Sequence, residues 1–202
     1  MTWGIAEPGF AALSLRTPRL LLRTWRPEDR DEFVRLSRVS AEFWRPWMPA
    51  VAPTDSLDVQ FDRSLAVCER GLASGTHLRL VGELEGGRLA GFFSLGEIVW
   101  GVFRSAYAGW RVGADVAGQG LATEAVTGIL DLAFAPRPHG LGLHRVQANV
   151  IPTNAPSLRV AEKCAFRREG LALRYLKIAG TWQDHVMFAK TVEEHQLVYL
   201  TA

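Results

Sequence analysis

Val112-Gly113-Ala114-Asp115-Val116-Ala117-Gly118-Gln119-Gly120-Leu121-Ala122-Thr123-Glu124-Ala125-Val126 is the stretch whose reading decides the fold. An extended run ends at Val112 and breaks into a glycine-containing turn. A helix follows, on which Ala122, Ala125, Val126, Ile129 and Ala133 recur at i, i+3, i+4, i+7 spacing. The first N–H groups of a helix have no internal partner and carry the positive end of its dipole, and glycine lets a backbone approach a phosphate closely. The turn is therefore a candidate pyrophosphate site. It is neither of two better-known phosphate loops: a P-loop ends in GK[ST], and the dinucleotide fingerprint has glycine where Thr123 stands. Taken alone, the segment can equally be a glycine turn that only caps a helix.

Upstream, strand-like and helix-like segments alternate without a linker, which favours one α/β core. Arg19 to Arg23 reads as a strand and Glu28 to Arg38, opened by Pro27, as a helix. Between Ala41 and Pro53 lies FWRPWMPAVAP, too rich in proline for a regular helix, and a helical pattern resumes from about Asp55 to Glu69. His77 to Glu85, Arg88 to Ile98 and Tyr107 to Val112 read as three strands, the first two joined by a Glu85-Gly86-Gly87 hairpin.

Bulk properties narrow the function classes. With 202 residues, 48% hydrophobic and 22% charged, one soluble domain over 1–202 is expected. Its 23 basic and 21 acidic residues leave a net charge of +2, too balanced for a nucleic-acid or anionic-membrane footprint. Cys68 and Cys164 show neither CxxC nor metal-ligand spacing and read as buried free thiols. Met1 to Phe10 lacks a signal-peptide pattern and no apolar run approaches ~18 residues, so a cytoplasmic location is expected.

Downstream, His144-Arg145-Val146-Gln147-Ala148-Asn149-Val150 alternates like a strand. It runs into Pro152-Thr153-Asn154-Ala155-Pro156-Ser157 and a helix from about Ala155 to Cys164, with Asn154 as a natural N-cap. This N-x-x-S helix start, the closing EKCAF and the earlier AGQGLA turn together resemble the GNAT acetyltransferases. Among these the chain is most similar to ribosomal-protein-alanine N-acetyltransferases of the RimJ/RimL type. The resemblance runs from TPRLLLR through EIVWGVFRSAYAGWRV to GTWQDHVMFA, nearly the whole chain.

The resemblance implies a GNAT fold: an α/β (α+β) domain with a mixed, mostly antiparallel sheet of six to seven strands, splayed at its centre and flanked by about four helices. It implies that Ala117, Gly118, Gln119, Gly120, Leu121, Ala122 and Thr123 hold the pyrophosphate of acetyl-coenzyme A. The strand ending at Arg111 and Val112 would take the pantetheine arm, with Asn149 and Asn154 contacting the cofactor and Ser157 near the sulfur. No metal is implied. Where the family commonly has Gln or Arg at the first loop position, this chain has Ala117, which removes a side-chain phosphate contact but not the backbone donors.

Acetyl transfer from a thioester to an amine needs donors for the charge that develops on the carbonyl oxygen, and the backbone N–H groups around Arg111 and Val112 are candidates. It also needs a route for the amine proton. A protein α-amine titrates near ~7.7–8.0 and a lysine near ~10.4, so an α-amine reacts with only a weak or water-relayed base. Glu97 is a candidate base, against a solvated strand-end carboxylate; Ser157 is a candidate acid for the thiolate, against a plain helix-start serine; Tyr107 could replace it, against core packing. His144 and His185 are expected on strands in packing roles.

Phe43, Trp44, Trp47 and Met48, with the Val99 to Tyr107 connection, either line an acceptor groove or cover the core. Glu83, Glu85, Glu97, Asp55 and Asp58 would favour a basic peptide only if they gathered around one cleft. Three functions follow: an N-terminal acetyltransferase acting on a ribosomal protein, a small-molecule amine acetyltransferase, and a non-catalytic acetyl-coenzyme A binder. Either a monomer or a homodimer is expected.

Overall fold

The computed structural model describes residues 13–50 and 55–199. Eight strands form one sheet in the order β1-β2-β3-β4-β5-β6-β8-β7. They are β1 Ser14–Arg16, β2 Leu21–Thr24, β3 Leu78–Glu83, β4 Leu89–Val99, β5 Ser105–Val112, β6 Arg145–Val150, β7 Arg167–Ile178 and β8 Thr181–Thr191. Every neighbouring pair is antiparallel except β5 and β6. Four α-helices connect them: α1 Arg30–Trp44, α2 Leu57–Ser74, α3 Leu121–Phe134 and α4 Ala155–Lys163. The mixed, splayed GNAT architecture is present, with more strands than the six to seven expected. The three residues of β1 are too few for an alternating pattern to register, although Thr17 closes their turn by donating from N to the Leu20 carbonyl and accepting from Leu20 N at Oγ1.

The sheet carries a core on each face, because successive strand residues point to opposite sides. On one face Leu80 and Phe93 pack with Ile129 and Leu130 of α3. On the other, Val81 and Phe92 pack with Phe33 and Leu36 of α1 and Phe61 of α2. Each fully buried Leu or Phe contributes roughly 1.5–3 kcal/mol relative to exposure.

The sequence placed α1 at Glu28 to Arg38, but it starts after a 3-10 turn at Pro27–Asp29 and runs on to Trp44. Pro46 interrupts only there, in a 3-10 turn at Arg45–Trp47, because proline constrains its own φ and the residue before it rather than the preceding turns. Phe43 and Trp44 are thus helical, and the end of the proline-rich segment, residues 51–53, lies outside the described residues, as does the amino terminus. The Ser56 side chain caps α2 by accepting from Val59 N, and Gly75, at φ 68°, ends it. The expected Gly-Gly hairpin is present: Gly86 and Gly87 have φ of 83° and 84°.

The site is positioned by an early parting of β5 from β6. Their pairing runs only through Ser105↔Arg145, Ala106↔Val146 and Tyr107↔Gln147. Beyond it the strands diverge, with α3 as crossover.

Candidate functional site

The amides that face this fork follow from the β4–β5 ladder. Gly113 N donates to Ala90 O at 2.8 Å, next to the Gly91↔Val112 pair. Gly113 therefore faces β4, and alternation turns Val112, Trp110 and Ala108 toward the fork. The amide of Arg111 faces β4, so the expected backbone donor at that position is replaced by those of Trp110 and Ala108. Trp44 Nε1 already occupies the Val112 carbonyl, at 2.7 Å.

The loop after β5 is held from outside. Arg35 Nη1 and Arg88 Nη2 both donate to Asp115 Oδ2 at 2.8 Å, and Ala114 N donates to Ser40 Oγ at 3.0 Å. At the loop's other end Arg19 Nη1 donates to the Gln119 carbonyl at 2.9 Å, while Arg19 Nε donates to Glu124 Oε2 at 2.7 Å. Burial pushes the Glu124 carboxyl up, but the Thr17 hydroxyl and the Arg19 amide and guanidinium outweigh it, and its pKa is lowered. Gly118 and Gly120, at φ 78° and 82°, supply the left-handed turns between these anchors. Among the described residues the amides of 117–121 have no intramolecular acceptor.

Of these residues Ala117, Gly118, Gly120 and Leu121 border a groove of about 300 Å³ between the loop, the end of β5 and the start of α4. Arg111, Val112, Ala117, Gly118, Gly120, Leu121, Ala122, Thr123, Asn154 and Ser157 all line it. Asn154 Oδ1 accepts from Ser157 N at 3.2 Å, so Asn154 does cap α4 while it borders the groove. Gln119 instead lines a neighbouring hollow near Arg19. Arg159 and Lys163 also line the groove; the sequence reading passed them over, although their i, i+4 spacing after N-x-x-S sets both on one helix face. No carboxylate lines it among the described residues. A donor-rich, acid-free groove fits a diphosphate.

At the apex of the fork, Tyr107 and Asn149 meet a residue the sequence reading did not single out. Asn149 Nδ2 lies 3.1 Å from the Tyr175 hydroxyl. Burial, then the hydrogen bond with Tyr107, raises the Tyr175 pKa. Had the pairing continued in register, Asn149 would lie opposite Gly109; Asn149 Oδ1 is buried without a partner. His185 packs edge-on against Tyr175, with ring centroids 5.5 Å apart. His144 is not on a strand: it lies before β6, with Nε2 3.2 Å from Glu193.

Glu97 does not join this group. It sits in the bulge of β4 at φ 49°, its side chain 75% exposed and 3.5 Å from His77 Nε2. Nor do the other acidic residues gather around the groove: Glu83 pairs with Arg23 and shares a separate hollow with Glu85, Asp55 pairs with Arg63 and Asp58 with Arg30. Among the described residues no group of three or more His, Cys, Asp or Glu converges as a metal site. Both cysteines are buried and free, and burial raises both thiol pKa values.

A forked sheet with an open amide turn at its mouth is an acyl-coenzyme A transferase arrangement. The chain belongs to the GNAT acetyltransferase family, whose domain model matches residues 19–167. It is therefore an acyl-coenzyme A-dependent N-acetyltransferase. RimJ of Mycobacterium smegmatis, solved in complex with CoA-disulfide, superposes with a TM-score of 0.81 at 31% identity, over 94% of this chain and 91% of that one. The [Ribosomal protein uS5]-alanine N-acetyltransferase of Escherichia coli is 29% identical over 89% of this chain and 91% of its own. Probable N-acetyltransferase YjcK of Bacillus subtilis is 42% identical over 102 residues, which are 50% of this chain and 54% of that relative.

Proposed function

We propose that this protein moves the acetyl group of acetyl-coenzyme A onto the α-amine of a protein amino terminus, a ribosomal protein being the target that the name of its Escherichia coli relative suggests. The observation that carries the reading is the arc of unpaired amides from 117 to 121, at the mouth of a fork whose inner edge presents Ala108, Trp110 and Val112. Amides of the loop, with Arg159 and Lys163, would hold the diphosphate, and the edge of β5 would hold the amide-bearing arm. Bound there, acetyl-coenzyme A supplies an electrophilic thioester carbonyl.

The chain's own groups then have three tasks. Fork-facing amides of β5 stabilise charge developing on an oxygen, which donors fixed in advance do without reorganising. Tyr107 or Ser157 supplies a proton to a departing thiolate. The amine proton leaves through water, since Glu97 lies away from the groove and an α-amine titrating near ~7.7–8.0 is already partly neutral.

The experiment is to incubate protein and acetyl-coenzyme A with peptides beginning in Ala, Ser or Met, beside polyamines and aminoglycosides, and to read acetylation by mass. Acetylated peptide termini are expected; modification of the small amines alone would overturn the protein-terminus reading. A small-molecule acceptor is the second reading. It is favoured by the tip of the β7–β8 hairpin, where Ala179 N donates to Met48 O at 3.0 Å and both residues line one hollow with Arg111, a space suited to a compact acceptor.

A further inference from the structure

A second hollow, of about 230 Å³, lies on the sheet face turned toward α1 and α2 and adjoins the groove through Trp110 and Arg111, which line both. Arg79 on β3, Ser94 on β4, Gly109 on β5, Ser64 on α2 and Trp25 also border it. Its polar side chains are guanidinium, indole and hydroxyl groups, with no carboxylate or carboxamide among the described residues.

The two cations are unmatched. Arg111 lies over the rings of Trp44 and Phe92, at 4.7 and 4.8 Å, and reaches Met48 Sδ at 3.6 Å. Neither Arg111 nor Arg79 forms an ion pair among the described residues; burial, followed by repulsion from Arg79, lowers the Arg111 pKa to about 10. A third donor is also idle: Trp25 is 8% exposed and its Nε1 is buried without a partner. Folded proteins pair their buried charges and satisfy their buried donors. Arg79 and Arg111, both half-buried, border one small hollow together with the Trp25 indole, and this set of donors lacks an acceptor-only group, which is an anion.

The place of that anion relative to the chemistry is set by β5. Alternation puts Tyr107, Gly109 and Arg111 on one face, and each two-residue step along a strand covers about 7 Å. Gly109 presents no Cβ between them; one would stand 2.9 Å from Ser94 Oγ. Two such steps, about 14 Å, separate the backbone of Arg111 from that of Tyr107 at the apex of the fork, a gap shared by the long Arg111 side chain and an acceptor lying over Gly109.

We propose that this hollow recognises the acceptor, with Arg79 and Arg111 holding a carboxylate borne next to the amine that is acetylated. The amine's role rests on the acetyl-transfer reading above; the anion site does not. The carboxylate is the α-carboxylate of a free amino acid or an acidic side chain beside a peptide terminus, and polycationic amines are rejected by the same charges.

The test uses coenzyme A-loaded protein and calorimetric titration of two matched pairs: alanine against alaninamide, and Ala-Glu amide against Ala-Gln amide. At least one carboxylate member should bind tenfold or more tighter than its neutral partner. Preference in the first pair identifies a free amino acid, and preference in the second an acidic peptide. Arg79→Gln should collapse the ratio toward one and Arg79→Lys should keep most of it, with coenzyme A uptake by the same samples reporting a folded protein. Equal affinity within both pairs, or a preference that survives Arg79→Gln, overturns the proposal. With acetyl-coenzyme A in place of coenzyme A and products read by mass, selective binding without acetylation of the bound amine would leave the anion site standing and remove the proposed acceptor; acetylation of the peptides without selectivity would do the reverse.

Discussion

Arg19 Nε donates to Glu124 Oε2 at 2.7 Å, tying the start of the second strand to the first turn of α3, and the same guanidinium reaches the Gln119 carbonyl. Neither Arg19 nor Glu124 lines the main groove. Their contact nevertheless fixes the backbone that does. Arg19→Ala should weaken acetyl-coenzyme A binding by roughly tenfold, about 1.4 kcal/mol, in equilibrium titration. Glu124→Gln should lower stability by about 1–2 kcal/mol, read from denaturant midpoints, because it removes the charge from a buried acceptor that holds three donors.

Gly120 has φ 82°, where an L side chain costs ~1–2 kcal/mol. Gly120→Ala should therefore destabilise by about that amount and loosen cofactor binding. Gly120→Glu should abolish binding, since it sets a carboxylate among amides that await an anion. Unchanged acetyl-coenzyme A affinity in Gly120→Glu would refute the assignment of the loop.

Tyr107→Phe should lower kcat by roughly 10²-fold while leaving acetyl-coenzyme A affinity within a factor of two. Burial, then the hydrogen bond with Tyr107, raises the Tyr175 hydroxyl from 10.0, so it keeps its proton throughout the neutral range. Rate profiles should accordingly show no fall from ionisation of this hydroxyl through the neutral range.

Glu169 provides a stability signature remote from the groove. Its hydrogen bond with Arg145, reinforced by Arg167, lowers its pKa from 4.5 to about 2. The folded carboxyl is the stronger acid, so its stabilisation is full above pH 4.5 and disappears as pH falls toward 2. Solvent screening limits it to about 1 kcal/mol. Glu169→Gln should flatten that part of the stability profile and lower stability at pH 7 by the same amount.

The loop and the N-cap were legible because both are local: Gly118, Gly120 and Asn154 declare backbone conformations that only short-range geometry demands. The anchors were not. Arg19 and Gln119 are a hundred residues apart in sequence, and the pairing of Tyr107 with Tyr175 depends on β7 returning beside β8. Glu97 misled because a strand-end carboxylate reads the same whichever way a bulge turns it. The helical extension to Trp44 was hidden by Pro46, whose influence reaches back less far than its prominence in FWRPWM suggests. Arg79 gave no signal at all, since a missing counter-ion is visible only once every neighbour is placed.

Three residue pairs join β5 to β6, while their remaining lengths stand apart. The molecule is thus two half-sheets sharing a short seam, with an interior edge that behaves like the rim of an incomplete ladder. Any extended occupant with amides of its own acts as a substitute rung. Occupancy should therefore be readable far from the reaction, as slowed hydrogen exchange at Ala108, Trp110 and Val112 and as a rise in melting temperature set by ligand concentration over its dissociation constant.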